Sequence, residues 1–534
     1  MYVNPKTNIR LLKNVPLEAS YTNTLYFTSA TAQSNYFSSL TKKNLNNYTY
    51  QRVNNGQLKI GILADEIYDC NYMMFQNSAY GNKWFYAFIT KVEYVSNTCS
   101  LISYEIDVIQ TWFFDFSLGQ CFVEREHSVT DNIGEHILPE PVELGEYAFD
   151  DYRELTPVLT PMCVVVAVSD TGEDETTGNI YDGVYSGVTY HAFNSDDVES
   201  INALVTRYLQ SPDSIVSMYM SPVICVASGV IPKGGLVVEY ADTGWSSTIE
   251  LDSLAEKEST PDLDGHIPRN KKLYTYPYYF LHVDNASGQS LELRYEFFSG
   301  GKPRLTLDST ISAPVKVTCR PSYYKGLSSE KLHTEVITLE NYPQCSWNID
   351  AYKVWLSQNL VPMFMKSASS IMQTGGGLMN TAVGLASGNI VQAVIGGSNA
   401  IQGAASLQSQ VSQVMVDKYT ASIQADICKG NLNNGNINIS HKYQNFYVAD
   451  AHIRREYAQA IDNYFTVFGY ATKRVKVPNR SSRPHWNYVK TVGCIINGSI
   501  PADDERKICS IHDNGITYWK NGSEVGNYSL DNSP

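Results

Sequence analysis

No C-x-x-C pair occurs anywhere in the 534 residues. The ten cysteines are scattered from Cys70 to Cys509, which excludes a zinc-ribbon spacing and a disulfide framework of the small secreted kind. Several stand in apolar runs such as "PMCVVVAV" and "SPVICVAS", where a free thiol behaves as a small buried hydrophobe. A reducing cytoplasm is therefore the expected place of synthesis. Basic residues are also short: 40 Lys and Arg face 54 Asp and Glu, for a net charge of −14. A general nucleic-acid binder needs basic patches to neutralise phosphate, so that class is disfavoured. Catalytic signatures are missing as well. There is no G-x-S-x-G, no H-E-x-x-H, no P-loop and no G-x-G-x-x-G after a strand. The ten histidines are dispersed, with no i, i+4 pair for a metal face. The doublets Glu124/Glu126 and Asp503/Asp504 read as solvated surface, because spacing alone does not bring two carboxylates to the separation glycoside hydrolysis needs. The N-terminus has no basic start followed by an apolar core, unlike a secretory signal. No window holds the roughly 18 consecutive apolar residues of an ordinary membrane span.

What is present leans towards strands. Tyrosine is abundant at 38 residues, and Tyr, Val, Ile and Thr favour the pleated sheet. The length implies three or four domains at roughly 150 residues each. Residues 1–155 read as a first β domain, with strand-like runs "LKIGIL", "KWFYAFITKVEYV" and "CSLISYEIDVIQTWFF" broken by Asn- and Gly-rich turns. Trp112, Phe113 and Phe114 are expected to close one of these strands against a core. Residues 156–260 read as an inserted α/β domain. It contains an acidic loop, Ser169–Gly183, taken as solvated surface ahead of a calcium site because its spacing fits no EF-hand. It also contains a helix with Ile201, Leu204, Val205 and Leu209 at helical spacing. A second β domain is expected over 261–362, with an Asn-Ala-Ser-Gly turn between two strands. Residues 417–534 close the chain with return helices and a C-terminal domain, in which Tyr457, Ile461, Tyr464, Phe465 and Phe468 form one helical stripe. The fold class is mainly β, α+β overall.

One stretch fits none of these elements. From Ser367 to Val416, within a segment spanning 363–416, no Asp, Glu, Lys or Arg occurs. Gly375, Gly376, Gly377, Gly384, Gly388, Gly396, Gly397 and Gly403 weaken an isolated helix, each by about 1 kcal/mol relative to Ala. A flexible linker, however, does not ordinarily carry Leu378, Met379, Val383, Leu385, Ile390, Val391, Val394, Ile395, Ile401 and Leu407. A buried Ala/Gly-rich helix pair competes with a conditional membrane element, apolar enough to enter lipid and polar enough to stay hidden in water. On the second reading those ten apolar residues carry the membrane contact. Gly375, Gly376 and Gly377, with Gly396 and Gly397, act as hinges. Insertion requires helix formation, because lipid offers the backbone no other partner. Gly384 and Gly388 allow such helices to pack closely.

At both ends the chain resembles a known family. "RLLKNVPLEASYTNTLYF" (Arg10–Phe27), "YEIDVIQTWFFDF" (Tyr104–Phe116), "CFVEREH" (Cys121–His127) and "LPEPVELGEY" (Leu138–Tyr147) are followed, near the end, by "FGYATKRVKVPN", "RPHWNYVKT" and "IPADDERKICSIHDNGITYW". In kind and order these blocks are similar to the tail knob, or distal tail tube, proteins of phi29-like short-tailed bacteriophages (podophages). The uncharged segment stands where that family has its long apolar loops. The resemblance implies tandem β-barrel-like, tube-forming domains that assemble as a hexameric ring at the distal end of the tail. It implies apolar loops that plug the lumen and insert in the host cell membrane on infection, opening a route for genome ejection. Its implied partners are further copies of itself, other phage tail proteins, the host membrane, and phage DNA that passes without sequence-specific binding. Assembly in the host cytoplasm, a final place in the virion, no cofactor and no metal ion follow. Two rival readings are a structural or receptor-binding tail protein without membrane activity, and a tail-tip cell-wall hydrolase.

Overall fold

The computed structural model describes residues 6–48, 56–155, 162–169, 180–181, 184–185, 188–208, 215–226, 230–238, 244–251, 260–285, 288–300, 302–310, 316–326, 334–339, 344–346, 430–431 and 445–534. Among them strands outnumber helices and the protein is mainly β, in several separate sheets. The chain folds as two units, and neither is a single stretch. One comprises Met1–Glu146, Asp262–Tyr278 and Ile453–Pro534, and the other Tyr147–Pro261 and Tyr279–His452.

In the first unit a six-stranded antiparallel sheet runs in the order Thr41–Tyr48, Thr7–Lys13, Cys70–Asn77, Trp84–Ser96, Cys99–Ile106, Gln57–Ile60. Both of its faces are buried. Tyr72 and Met74 join a core with Leu12 and Phe88, while Met73 and Phe75 join a second core with Ile9, Leu11 and Ile102. That explains the unbroken apolar run at Tyr72–Phe75, since successive side chains point to opposite faces and here both are covered. The strand expected to end at Trp112–Phe114 stops earlier, at Ile106. Asp107 accepts the Gln110 N–H at 3.0 Å and caps a short helix, Val108–Trp112. Phe113 is buried after that helix, whereas Phe114 is 44% exposed.

The same unit holds a five-stranded sheet ordered Asn23–Leu25, Ile516–Trp519, Trp486–Val492, Cys121–Glu126, Tyr470–Lys476. Strands from both ends of the chain interleave in it, and only the pairing of Asn23–Leu25 with Ile516–Trp519 is parallel. The Trp486 and Trp519 rings, 5.0 Å apart, anchor its core. The helix Arg455–Phe468 buries Ile461 and Phe465 of the expected stripe and leaves Tyr457, Tyr464 and Phe468 half-buried. Gly469 ends it at φ 65°, ψ −153°, a region open essentially to glycine alone, and a Cβ there would lie 2.2 Å from the Glu126 carbonyl oxygen. The last helix, Ala502–Asn514, opens with Asp503, Asp504 and Glu505, where negative charge complements the helix dipole. The Asp503/Asp504 doublet is thus a helix start, and Asp504 accepts from the Trp112 indole at 2.9 Å.

The second unit contains a six-stranded sheet ordered Leu236–Val238, Val188–Asn194, Met162–Ser169, Ile215–Pro222, Gln344–Ser346, Gly430–Asn431. Two four-stranded sheets accompany it: Tyr147–Glu154, Tyr447–Ile453, Tyr279–Asp284, Ser290–Leu293, and Gly244–Glu250, Arg304–Thr310, Lys316–Ser322, Ile337–Leu339. The expected Asn-Ala-Ser-Gly connection joins the antiparallel pair Tyr279–Asp284 and Ser290–Leu293. The expected helix forms over Val198–Arg207, capped by Asp197, with Ile201 and Val205 buried, Leu204 half-buried and Leu209 outside the described residues.

Candidate functional site

The apolar residues from Leu378 to Leu407 and the glycines Gly375–Gly377 and Gly396–Gly397 lie between 347 and 429, outside the described residues. Their root is described. Gln344–Ser346 enters the edge of the six-stranded sheet beside Ile215–Pro222, with Ser346 opposite Ser217, Cys345 opposite Met218 and Gln344 opposite Tyr219. Gly430–Asn431 then pairs back on Gln344–Ser346, with Cys345 opposite Gly430 and Gln344 opposite Asn431. Antiparallel partners stand about 5 Å apart. The described residues on either side of the apolar segment, Ser346 before it and Gly430 after it, therefore stand side by side at one sheet edge. Two strands further in lies Met162–Ser169, in which every residue from Met162 to Val168 is at most 4% exposed. Burial of a Val there contributes roughly 1.5–3 kcal/mol, so the root is tied to the firmest part of its sheet. Cys163 and Cys225 are buried free thiols of this unit, both pushed up by burial, Cys225 to about 11.

In the first unit a node of buried charge ties together stretches remote in sequence. Strand Cys121–Glu126 carries Arg125, which pairs with Glu140 and donates to the Gly469 carbonyl at 2.6 Å. The Arg125 guanidinium carbon lies 4.7 Å from the centre of the Tyr464 ring. Lys272, from the 3-10 turn Lys271–Tyr274, pairs with the other carboxylate oxygen of Glu140, which also accepts the Ala471 N–H at 2.8 Å. Burial holds the Lys272 ammonium below its usual range, against the pull of Glu140. Nearby, Glu126 is buried, paired with Lys476, and accepts the Asn479 N–H at 2.9 Å. Its doublet partner Glu124 sits at the surface, 2.9 Å from Lys490. A cleft of about 540 Å³ opens beside the node, lined in part by Glu124, Arg125, Tyr464, Phe468, Tyr488 and Lys490.

Asp462, on the buried side of helix Arg455–Phe468, accepts the backbone N–H groups of Arg269 and Asn270 at 3.1 and 3.0 Å. It also accepts from the Asn270 amide at 2.8 Å and from His266 Nε2 at 3.0 Å, so segment Asp262–Tyr278 is latched to the helix. His127 Nδ1 accepts the Tyr488 N–H at 2.7 Å, which leaves Nε2–H to donate to the Thr466 carbonyl at 3.1 Å. Burial, aided by Arg483, pushes this imidazole down to about 3. His512 donates from Nδ1 to the Ile508 carbonyl and accepts from the Tyr518 hydroxyl, and burial pushes it down to about 4. Asp107, which also accepts from the Tyr72 hydroxyl at 2.8 Å, is pushed up to about 6 by burial.

The carboxylates Glu126, Glu140 and Asp462 are each held by fixed donors, an arrangement suited to stapling remote stretches of chain. Sequence reasoning did not single out Glu140, Lys272 or Asp462. The one available signal was an Asp set among the apolar positions of the Ile461–Phe465 stripe. Among the described residues no group of three or more His, Cys, Asp or Glu is placed to hold a metal ion, and most of the acidic loop Ser169–Gly183 lies outside them. No described helix is long and apolar enough to cross a membrane.

Comparison with known proteins adds to this geometry. Residues 245–533 match the C-terminal domain of the tail knob protein gp9 of Bacillus phage phi29, and residues 5–117 match the N-terminus of the caudoviral major tail protein. The tail knob proteins gp9 of Bacillus phages PZA, phi29 and B103 are 26%, 25% and 25% identical to this chain, each covering 98% of it and 98% of the relative. The solved structure of the bacteriophage C1 tail knob protein gp12 matches with a TM-score of 0.63 at 14% identity, over 98% of this chain and 99% of that one, which is a likeness of fold.

Proposed function

This chain belongs to the family of the phage phi29 tail knob protein gp9, and from that premise we propose that it builds a ring whose uncharged segments close the lumen and then enter the host membrane. It is a structural tail knob protein of a short-tailed phage, a virion component at the tail. The finer reading adds a ring of copies, six by family resemblance, with Ser367–Val416 of each copy withheld from water until the tail tip reaches the membrane. A span of about 20 residues crosses a bilayer, and the segment is long enough for two such passes. Eight glycines and no charge make it a poor helix in water, while in lipid every backbone group must bond within the segment. Acidic groups along the lumen would repel the DNA backbone and ease its passage, in keeping with a net charge of −14.

The observation that carries this reading is the shared root, in which Cys345 pairs with Gly430 at one sheet edge. A segment tethered at a single point can swing out as a unit without either end being drawn through the fold. The test is removal of Ser367–Val416 with a short linker in its place. Assembly is expected to persist while dye release from liposomes is lost. Undiminished dye release by the deletion would leave a purely structural or receptor-binding tail protein as the answer.

A further inference from the structure

We propose that the cleft beside the Arg125–Glu140–Lys272 node binds a phosphate monoester borne on a ring-containing small molecule, with Lys473 as the exposed cation that meets the phosphate. The inference stands whether or not the ring and membrane reading holds, and it uses only the unit that contains both chain ends. Arg125 belongs to the floor of the cleft. It stands opposite Ala471 on one neighbouring strand and opposite Lys490 on the other, so the three share one face of the five-stranded sheet. Tyr464 and Phe468, one turn apart on helix Arg455–Phe468, form an aromatic wall with Tyr488, whose ring centre lies 5.1 Å from that of Phe468. A further side comes from the irregular stretch around Glu140. Glu140 turns its carboxylate into the node, while its neighbours Pro139 and Pro141 are exposed along the cleft. The volume of about 540 Å³ falls inside the range of about 300–1,000 Å³ usual for small-molecule sites.

The charges define the ligand. Arg125 and Lys272 share the single carboxylate of Glu140. Lys473 lies close enough to help hold the Lys272 ammonium below its usual range. It is exposed and makes no ion pair among the described residues. Lys490 and Glu124, 2.9 Å apart, cancel each other. Three cations against one carboxylate leave two positive charges at the node, which matches a phosphate monoester carrying about two negative charges near pH 7. The backbone sets the aim of Lys473. A bulge interrupts the ladder between Ala471 and Arg474, and Lys473 takes φ 45°, a left-handed conformation that lysine seldom adopts. Bulges re-aim side chains beside binding sites, and such strain persists where a site uses it. A bare phosphate ion would leave the aromatic wall uncovered, whereas a carrier with a ring covers it.

The experiment is calorimetric titration of the full chain with glucose 1-phosphate and with AMP, in which a sugar alone or a nucleobase accompanies the phosphate. Glucose, adenosine and inorganic phosphate are the controls. At least one ester is expected to bind about tenfold or more tightly than its uncharged counterpart and than inorganic phosphate, and the better ester identifies the ring. Lys473→Gln should weaken that ester about tenfold and leave the thermal melt unchanged, because the side chain is exposed. Tyr464→Leu should weaken the ester and leave the binding of inorganic phosphate as it is. Failure of both esters to bind, or an ester affinity untouched by Lys473→Gln, overturns the proposal. Equal affinity for ester and inorganic phosphate overturns it too, since the aromatic wall would then contribute nothing.

Discussion

Lowering the pH from 7 to 5 should destabilise the unit that holds both chain ends, by an amount set by three buried groups. His127 and His512 have folded values of about 3 and about 4, below the 6.5 of the unfolded imidazole. Their stabilisation is complete above pH 6.5 and is lost as pH falls from there towards the folded values. By linkage each forfeits about 2 kcal/mol between pH 7 and 5. The structural cause is explicit for His127: a second ring proton on Nδ1 would meet the Tyr488 N–H that now donates to it. Asp107 works in the opposite sense. Its folded value of about 6 lies above the unfolded 3.8, so its contribution is present at low pH and lost as pH rises through 6. On acidification it returns about 1 kcal/mol, for a net loss of about 2–3 kcal/mol. For a unit of this size that is roughly 5–10 °C in Tm. Thermal melts between pH 7 and 5 read this directly. His512→Gln should lower stability overall yet remove most of the pH dependence, because the remaining His127 loss is largely offset by Asp107, whereas Asp107→Asn, which keeps the helix-cap acceptor, should steepen it. A Tm unchanged across this range, or an unaltered slope in His512→Gln, would refute the reasoning.

Two further substitutions test the staples. Glu140→Gln leaves the buried cations Arg125 and Lys272 without an anion and should cost about 3–5 kcal/mol, measured as a shift in the urea midpoint. Gly469→Ala forces a Cβ to within 2.2 Å of the Glu126 carbonyl at φ 65° and should cost at least about 3 kcal/mol or abolish soluble expression, while Ala460→Gly on the exposed side of the same helix should cost only about 1 kcal/mol.

Local pattern carried much of the fold. Long β-branched runs such as Trp84–Ser96 became strands, and the Ile461/Phe465 stripe became a helix, because burial on one side imposes a period that the sequence displays. What local pattern lacks is partner identity. Nothing near Cys121–Glu126 announces that its neighbours are Trp486–Val492 and Tyr470–Lys476, more than three hundred residues later. The same blindness hid Glu140, whose cations come from positions 125 and 272. At Trp112–Phe114 aromatic content suggested a strand, and a single capping carboxylate at Asp107 decided for a helix. The uncharged segment was conspicuous by what it omits. Its root was not, since Gln344–Ser346 and Gly430–Asn431 are too short to show any period.

The central claim concerns where Ser367–Val416 goes when the tail knob meets a bilayer. The direct measurement is a membrane-restricted photolabel in liposomes mixed with the assembled protein, followed by peptide mapping. The account predicts label concentrated between Leu378 and Leu407 and absent from the sheet units. Label spread evenly over the chain, or absent from that segment while vesicles still leak, would contradict it.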